Sequence, residues 1–408
     1  MKRWKKLLLL VLLLILVSQV PFAYRRYQLG RLETLINQLN SRRNSNTEET
    51  YAEYVGVLHV HSFLGGHTGG NFEEIIEGAK ANRLDFVVMT EHPARDFDSA
   101  ALTLKGNYGG VLFVNGNEVA FANRERLLVV PGSEAAASAS SDTVDHFLAQ
   151  LKPKDSLALV AYPQEFKSWS TTSYDGVEVY NLFTNARQIN PVMMFFDGLW
   201  SYRRYPELLF ARFYERPTRN LELWDQAMLQ SGRRLVAVAG NDAHANVGLS
   251  LNDSSGKKLL GIQLDPYERS FRLVRMHVLI PSLASASHPP LAAESLVDAL
   301  RAGHCFIAFD LFGDATGFRF LASNGIESRS QGDDIALTNS THLIVSTPLP
   351  SRIRLFRNGS VLREQSDVSK IEFEVTEKGI YRVEVYLPQL PKSLSDQPWI
   401  ISNPIYVR

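Results

Sequence analysis

Leu7 to Val17 is an unbroken apolar run, and no charge appears between Leu7 and Tyr24. As a helix that stretch would be about 27 Å long, enough to cross the hydrocarbon core of a bilayer. Tyr27 to Leu39 then sets Leu29, Leu32, Leu35, Ile36 and Leu39 at helical spacing, and Ser41 to Thr50 is polar, as a linker is. From Tyr54 onward strand-like runs alternate with helical ones. Leu84 to Thr90, Val111 to Glu118, Leu127 to Val130, Leu157 to Ala161, Gly176 to Tyr180 and Leu235 to Gly240 read as strands. A helix capped by Asn71 is expected from Phe72 to about Asn82, another from Asp142 to Leu151, and a third from Glu294 to Arg301, stopped by Gly303. Phe183 to Arg234 reads as a long, mostly helical insertion rich in Arg, Phe, Trp and Tyr, too long for a simple βα connection. Gly256 to Ile280 continues the sheet pattern.

From about Leu311 the runs become short and alternating: Phe318 to Ala322, His342 to Ser346, Arg352 to Arg357, Ile371 to Val375, Gly379 to Leu387 and Ile400 to Val407. Asn358-Gly359 is a strong hairpin signal. The pattern therefore predicts an α/β body of parallel βα units, as a barrel or an open sheet, followed by a small β-sandwich. The expected layout is an anchor over 1–26, a stalk or linker over 27–50, the body over 51–310 and the β-sandwich over 311–408.

Composition changes this picture in three ways. With 43 basic and 43 acidic residues among 408, the formal net charge is zero, so no broad basic field argues for a nucleic-acid partner. The single cysteine, Cys305, excludes an intramolecular disulfide and a thiolate metal cage. Lys2, Arg3, Lys5 and Lys6 precede the apolar run, and Val20-Pro21-Phe22-Ala23 is a poor cleavage site. An uncleaved signal anchor is expected rather than a cleaved signal peptide, with a cytoplasmic N-terminus and the rest outside the cytoplasm, at the periplasmic face in a bacterium. Arg25 and Arg26 pull against that orientation.

Candidate chemistry gathers at the C-terminal ends of the apolar runs. Val57-Leu58-His59-Val60-His61 would carry two imidazoles to one face of a strand. His67 follows in a Gly-rich loop, Val87 to His92 ends in a histidine, Leu112 to Glu118 ends in a carboxylate, and Val236 to His244 ends in Asp242 and His244. Imidazole and carboxylate together, with no thiolate, suit Zn, Mn or Fe. In α/β barrels such strand ends carry the active site.

The ordered set His59-x-His61, His67, Thr90-Glu91-His92, Glu118 and Asn241-Asp242-Ala243-His244 resembles the PHP (polymerase and histidinol phosphatase) superfamily. The β-rich tail ending Ile401-Ser402-Asn403-Pro404-Ile405-Tyr406 looks most like its CehA-type branch. The resemblance covers about Tyr54 to Phe309 and, more weakly, the tail. It implies a distorted (β/α)7 barrel with two or three divalent metal ions. His59, His61, Glu118 and Asp242 would bind one metal, and His67, His92 and His244 another. Glu118 would bridge to a third, with His146 as a candidate ligand. Where the family has Ala-His-Pro, this chain reads Ala161-Tyr162-Pro163, which weakens the third site and leaves Tyr162 to bond a substrate oxygen. Glu91 stands where the family usually has Asp and is expected to orient a ligand.

The function implied is metal-dependent hydrolysis of a phosphomonoester or phosphodiester by hydroxide at the metal cluster, with His59, His61, Glu118, Asp242 and His244 at its centre. The substrate would be a phosphorylated small molecule or an envelope component. Arg124, Arg187, Arg203 and Arg204 are available to hold phosphate, and His277, His288, His304 and His342 fit no ligand spacing. The alternative is a degenerate barrel serving as an envelope binding or structural module without turnover. Nuclease activity is disfavoured by the neutral charge.

Overall fold

The structure is a computed structural model, and it describes residues 3–44, 50–66, 68–151, 156–186, 191–246, 248–252, 258–263, 265–281 and 289–408. His67, Arg187, Gly256 and His288 lie outside these residues. The chain is mixed α/β, built on one large sheet, with a long helix at its N-terminus.

That helix, Arg3–Ser41, is continuous and is long and apolar enough to cross a membrane. Leu7 to Val17 are exposed, as an anchor requires. Further along, one face turns to protein: Leu32, Ile36 and Leu39 enter the main hydrophobic core, with Leu29 and Leu35 packed against it. The residues expected to form a stalk thus lie as helix along the body. The apolar spacing that predicted a helix is the spacing that buries it.

Tyr51–Val60 is the pivot of the sheet. Its first half runs antiparallel to Arg275–Pro281, and its second half runs parallel to Phe86–Met89 and to Val236–Ala243. Phe86–Met89 pairs with Val111–Val114, and Glu91 bridges to Asn117. Pairing then runs through Asn117–Ala120, Arg126–Val130, Leu157–Ala161 and Gly176–Asn181 to Val236–Ala243, and so back to the first strand. Arg126–Val130 is antiparallel to both its neighbours, which departs from the uniform parallel pattern expected. Phe72–Ala81 is capped by Asn71 in a capping box with Glu74, so two orphan backbone N–H groups are satisfied reciprocally.

The two runs expected at 342–346 and 352–357 are one long strand, His342–Arg357. Asn358 and Gly359, at φ 51° and 80°, turn it back into Ser360–Glu374. Ile400–Ser402 pairs with both Cys305–Ala308 and Gly379–Tyr386, so the C-terminal strands are hydrogen-bonded into the same sheet as the body. Asn403 reinforces this join. Its Nδ2 donates to the Ala237 and Cys305 carbonyls at 3.1 and 2.8 Å, and its Oδ1 accepts from the Ala237 N–H at 2.7 Å.

Two buried charge networks tie the regions together. Arg382 donates to both Asp225 carboxylate oxygens at 3.1 and 2.8 Å and to Glu384 at 2.7 Å, and Arg216 adds two bonds to Glu384. Burial pushes the Glu384 pKa up, but Arg216 and Arg382 outweigh it and hold the carboxyl down to about 2. His277 lies between Glu53 and Asp310, at 2.7 and 3.0 Å, and Arg319 pairs with Glu53 at 2.6 Å. Burial lowers the His277 pKa, but Asp310 and Glu53 more than offset this and lift it to about 9.

Two outcomes follow. Replacing Arg382 by Ala takes the arginine from the buried Asp225 carboxylate, leaves Glu384 to Arg216 alone, and should cost about 3–5 kcal/mol of stability, measured by denaturant unfolding. His277 is held protonated in the fold, so its contribution is complete below its ordinary pKa of 6.5 and is lost as pH rises through about 9. The denaturation midpoint should therefore fall across that alkaline window in the native chain, and the fall should flatten in His277→Asn.

Candidate metal centre

His59 and His61 do not reach their positions by simple strand alternation. The pairing register shifts between Val57 and Val60 on one side and between Leu58 and Val60 on the other, and His59 has φ 64°. Asp242 and Tyr162 also sit in the left-handed region, at φ 48° and 49°. Each such non-glycine residue costs about 1–3 kcal/mol and persists only where its surroundings impose it. Here three of them surround one point.

At that point three imidazoles converge on one carboxylate oxygen. The Nε2 atoms of His59, His61 and His92 each lie 3.3 Å from Glu118 Oε2. Asp242 Oδ1 lies 3.6 Å from His59 Nε2, 3.5 Å from His61 Nε2 and 3.4 Å from His244 Nδ1. The His61 ring stacks between those of His92 and His244, with centroids 4.8 and 4.5 Å away. His59, His61, Glu118 and Asp242 are all buried and form one group of ligand atoms within 4.8 Å; His61, His92 and His244 form another.

These residues fit a metal. One carboxylate oxygen has lone pairs for about two donors, so three imidazoles aimed at it exceed what hydrogen bonding can use. The separations are long for charge-assisted hydrogen bonds. They match instead the edge of a tetrahedron around an ion with bonds of about 2.0–2.1 Å, which is about 3.4 Å. Charge points the same way. Burial lowers the His59 pKa, yet Glu178, Asp242 and Glu118 together raise it well above the usual value. Burial raises the Glu118 pKa, yet His59 and His61 hold it well below the usual carboxylate range. A pocket that draws protons onto its imidazoles in this way is one that attracts a cation.

The surrounding residues fix the ligand atoms. Glu178 Oε1 lies 2.6 Å from His59 Nδ1, which places the proton there and turns Nε2 inward as the donor atom. His244 Nδ1 lies 2.7 Å from the Asp242 carbonyl, which likewise leaves its Nε2 as the donor atom. Tyr162 donates its hydroxyl to Asp242 Oδ2 at 2.7 Å, and Asn181 donates to the same oxygen at 3.2 Å. Burial, then Glu118 and Asp242, push the Tyr162 pKa up, so this hydroxyl stays neutral. Tyr162, expected to face substrate, is thus engaged with Asp242. Glu91 is buried and accepts from the Ser62 N–H and, at 2.7 Å, from the Thr103 hydroxyl, so it anchors the loop after His61.

His146 is not brought to this centre. It stands on the exposed side of Val144–Gln150, its side chain 68% exposed and its Nδ1 2.8 Å from Asp142. A surface helix carries it, and the aspartate one turn earlier holds its ring. It belongs to neither group of ligand atoms.

The centre opens into a cavity of about 510 Å³ lined by His92, Glu118, Arg126, Tyr162, Phe183 and Asp242 among others. Arg126 donates to Glu118 Oε1 at 2.6 Å and lies over the Tyr162 ring, with its side chain 37% exposed. Of the arginines expected to hold phosphate, Arg204 lies instead against the N-terminal helix, where it pairs with Glu33. Arg126 and Glu178 were not singled out in the sequence. A signal for each exists: Glu178 is a carboxylate within the buried run Gly176–Asn181, and Arg126 opens a strand that crosses Glu118.

No protein-family model matches the sequence, and no curated protein matches it. Among solved structures, the chain is similar to a two-domain protein from Bacteroides vulgatus containing a predicted PHP-like metal-dependent phosphoesterase. Identity there is 12%, the TM-score is 0.38, and the match covers 89% of this chain and 98% of that one. It is also similar to PsfC from Pseudomonas syringae, at 12% identity and a TM-score of 0.38, over 63% of this chain and 91% of that one.

Gly240 makes the centre's packing testable. A Cβ built there would stand 1.7 Å from Glu178 Oε1 and 2.8 Å from the His59 Cβ. Gly240→Ala should therefore displace Glu178, crowd His59 and lower metal affinity about 10–100-fold, and Glu178→Gln should do so while leaving every candidate ligand in place. Competition with a chromogenic chelator measures both.

Proposed function

We propose that this chain is a metal-dependent phosphoesterase of PHP type. The observation that carries the reading is the meeting of His59, His61 and His92 on one oxygen of Glu118, with Asp242 beside it, at the floor of a cavity lined by Arg126. His59, His61, Glu118 and Asp242 would hold one divalent ion, and His61 or His67 with His92 and His244 a second. Bound there, divalent ions lower the pKa of water and neutralise phosphoryl oxygens. Glu178 and the Asp242 carbonyl keep the two imidazole protons outside the cluster. Tyr162 and Asn181 hold the Asp242 carboxylate in place. Arg126 supplies the fixed positive charge for a phosphate ester's non-bridging oxygens. His146, remote and exposed, has no part in proton transfer.

The ladder of strands that returns to Tyr51–Val60 supports a distorted PHP-type barrel. The tail sequence Ser402-Asn403-Pro404 is the basis for placing the chain in the CehA-type branch. With Arg3, Lys5 and Lys6 opening the membrane-length helix ahead of its apolar run, the body would lie outside the cytoplasm. The substrate class is a phosphate ester, a small molecule or an envelope component.

Elemental analysis of the full chain in detergent, after repletion with Zn, Mn and Fe, should find two or more metals per chain, falling in Asp242→Asn. Little or no metal would overturn the reading and favour a binding module. Asp242→Asn and His61→Ala should each abolish phosphoester hydrolysis while the circular dichroism spectrum is retained. Arg126→Met should raise KM for a phosphate ester about tenfold or more, since a charge-assisted bond is worth about 1.5–3 kcal/mol.

A further inference from the structure

The helix Pro191–Ser201 carries an exposed apolar face. Val192, Phe195 and Leu199 are 62%, 55% and 70% exposed, and their spacing of three and four residues puts them on one side. An adjoining side is seated on the N-terminal helix. Phe196 packs on Phe22 with ring centroids 5.0 Å apart, Asp197 is buried 3.4 Å from Arg25, and Trp200 donates its indole N–H to Gln19 at 3.0 Å.

The level of this contact decides what covers the exposed face. The uncharged stretch of the N-terminal helix ends at Tyr24, and Arg25 is its first charge. At a rise of about 1.5 Å per residue, Phe22 and Gln19 lie about 4–5 and about 9 Å on the apolar side of Arg25. An amphipathic helix in the plane of a membrane buries its apolar face about 5–10 Å below the headgroups. Just beyond the helix, Arg26 and Arg204 lie over the Tyr205 ring, and Arg269 lies over Tyr202. Arginines with tyrosines are what the headgroup layer selects, and their charge suits anionic lipid.

We propose that Pro191–Ser201 is a second membrane contact, lying in the plane of the bilayer beside the N-terminal helix with Val192, Phe195 and Leu199 in the acyl boundary. This rests on the N-terminal helix spanning the membrane. The body is then held against the lipid surface by two elements at a fixed angle, rather than hanging from one.

Single cysteines at Leu12, Phe195, Leu199 and Ile326 in the full chain, spin-labelled and reconstituted in vesicles of phosphatidylcholine and phosphatidylglycerol, test it. The native Cys305 is buried, and the unsubstituted chain controls for labelling there. Labels at 195 and 199 should collide more with oxygen than with an aqueous nickel chelate, in the order found at 12. At 326, an 88% exposed isoleucine far from the helix in sequence, the order should be reversed. If 195 and 199 follow 326 while 12 is in lipid, the in-plane contact is overturned and the anchor stands. If 12 is itself in water, the anchor fails and the proposal with it. Protection of 195 and 199 from both reagents would mean that protein, such as a second copy of the chain, covers the face, and would equally overturn it.

Discussion

Burying a carboxylate is costly unless positive charge comes with it, and this chain buries three around one point. Glu118, Glu178 and Asp242 are each at most 2% exposed, within reach of one another through His59. Much of the body's local irregularity answers to that constraint. The register shifts in Tyr51–Val60, the left-handed backbone at His59, Asp242 and Tyr162, and the absence of a side chain at Gly240 all serve to bring imidazoles and carboxylates to one place. Breaking any one of them would weaken the pairing of a charge held in a low-dielectric interior.

The same logic, met with arginine and histidine, holds the regions of the chain together. Arg382 with Asp225 and Glu384, and His277 with Glu53 and Asp310, are closed sets in which every charge has a partner of opposite sign. They contrast with the cluster at Glu118, where several imidazoles share one oxygen. Closed networks fix the frame, and the crowded one is left with affinity for something more.

The strand-end motifs were legible because imidazoles and carboxylates that close apolar runs stand out in a sequence. His59 and His61 flank Val60, and His92, Glu118, Asp242 and His244 follow the apolar runs 86–89, 111–114 and 235–239. What could not be read was how they converge. The bulge at His59 depends on pairing with two strands distant in sequence, and Glu178 looks like any carboxylate until the fold puts it 2.6 Å from His59. His146 shows the reverse: a plausible spacing after Glu118, but a surface helix in space. The helix periodicity of Tyr27 to Leu39 and the hairpin at Asn358-Gly359 carried over directly, since both are local properties of the chain.

The join made by Asn403 also imposes an order in time. Its side chain clamps Ala237, 166 residues earlier, at the start of the strand that presents Asp242. At synthesis rates of about 5–20 residues per second, that strand waits roughly ten to thirty seconds for its clamp. Until then its edge near Ala237 and the Cys305 carbonyl lack a polar partner that the finished fold provides. The strand that carries Asp242 into the cluster is therefore fully bonded only after the C-terminal tail has been made, although His59, His61, His92 and Glu118 are made far earlier.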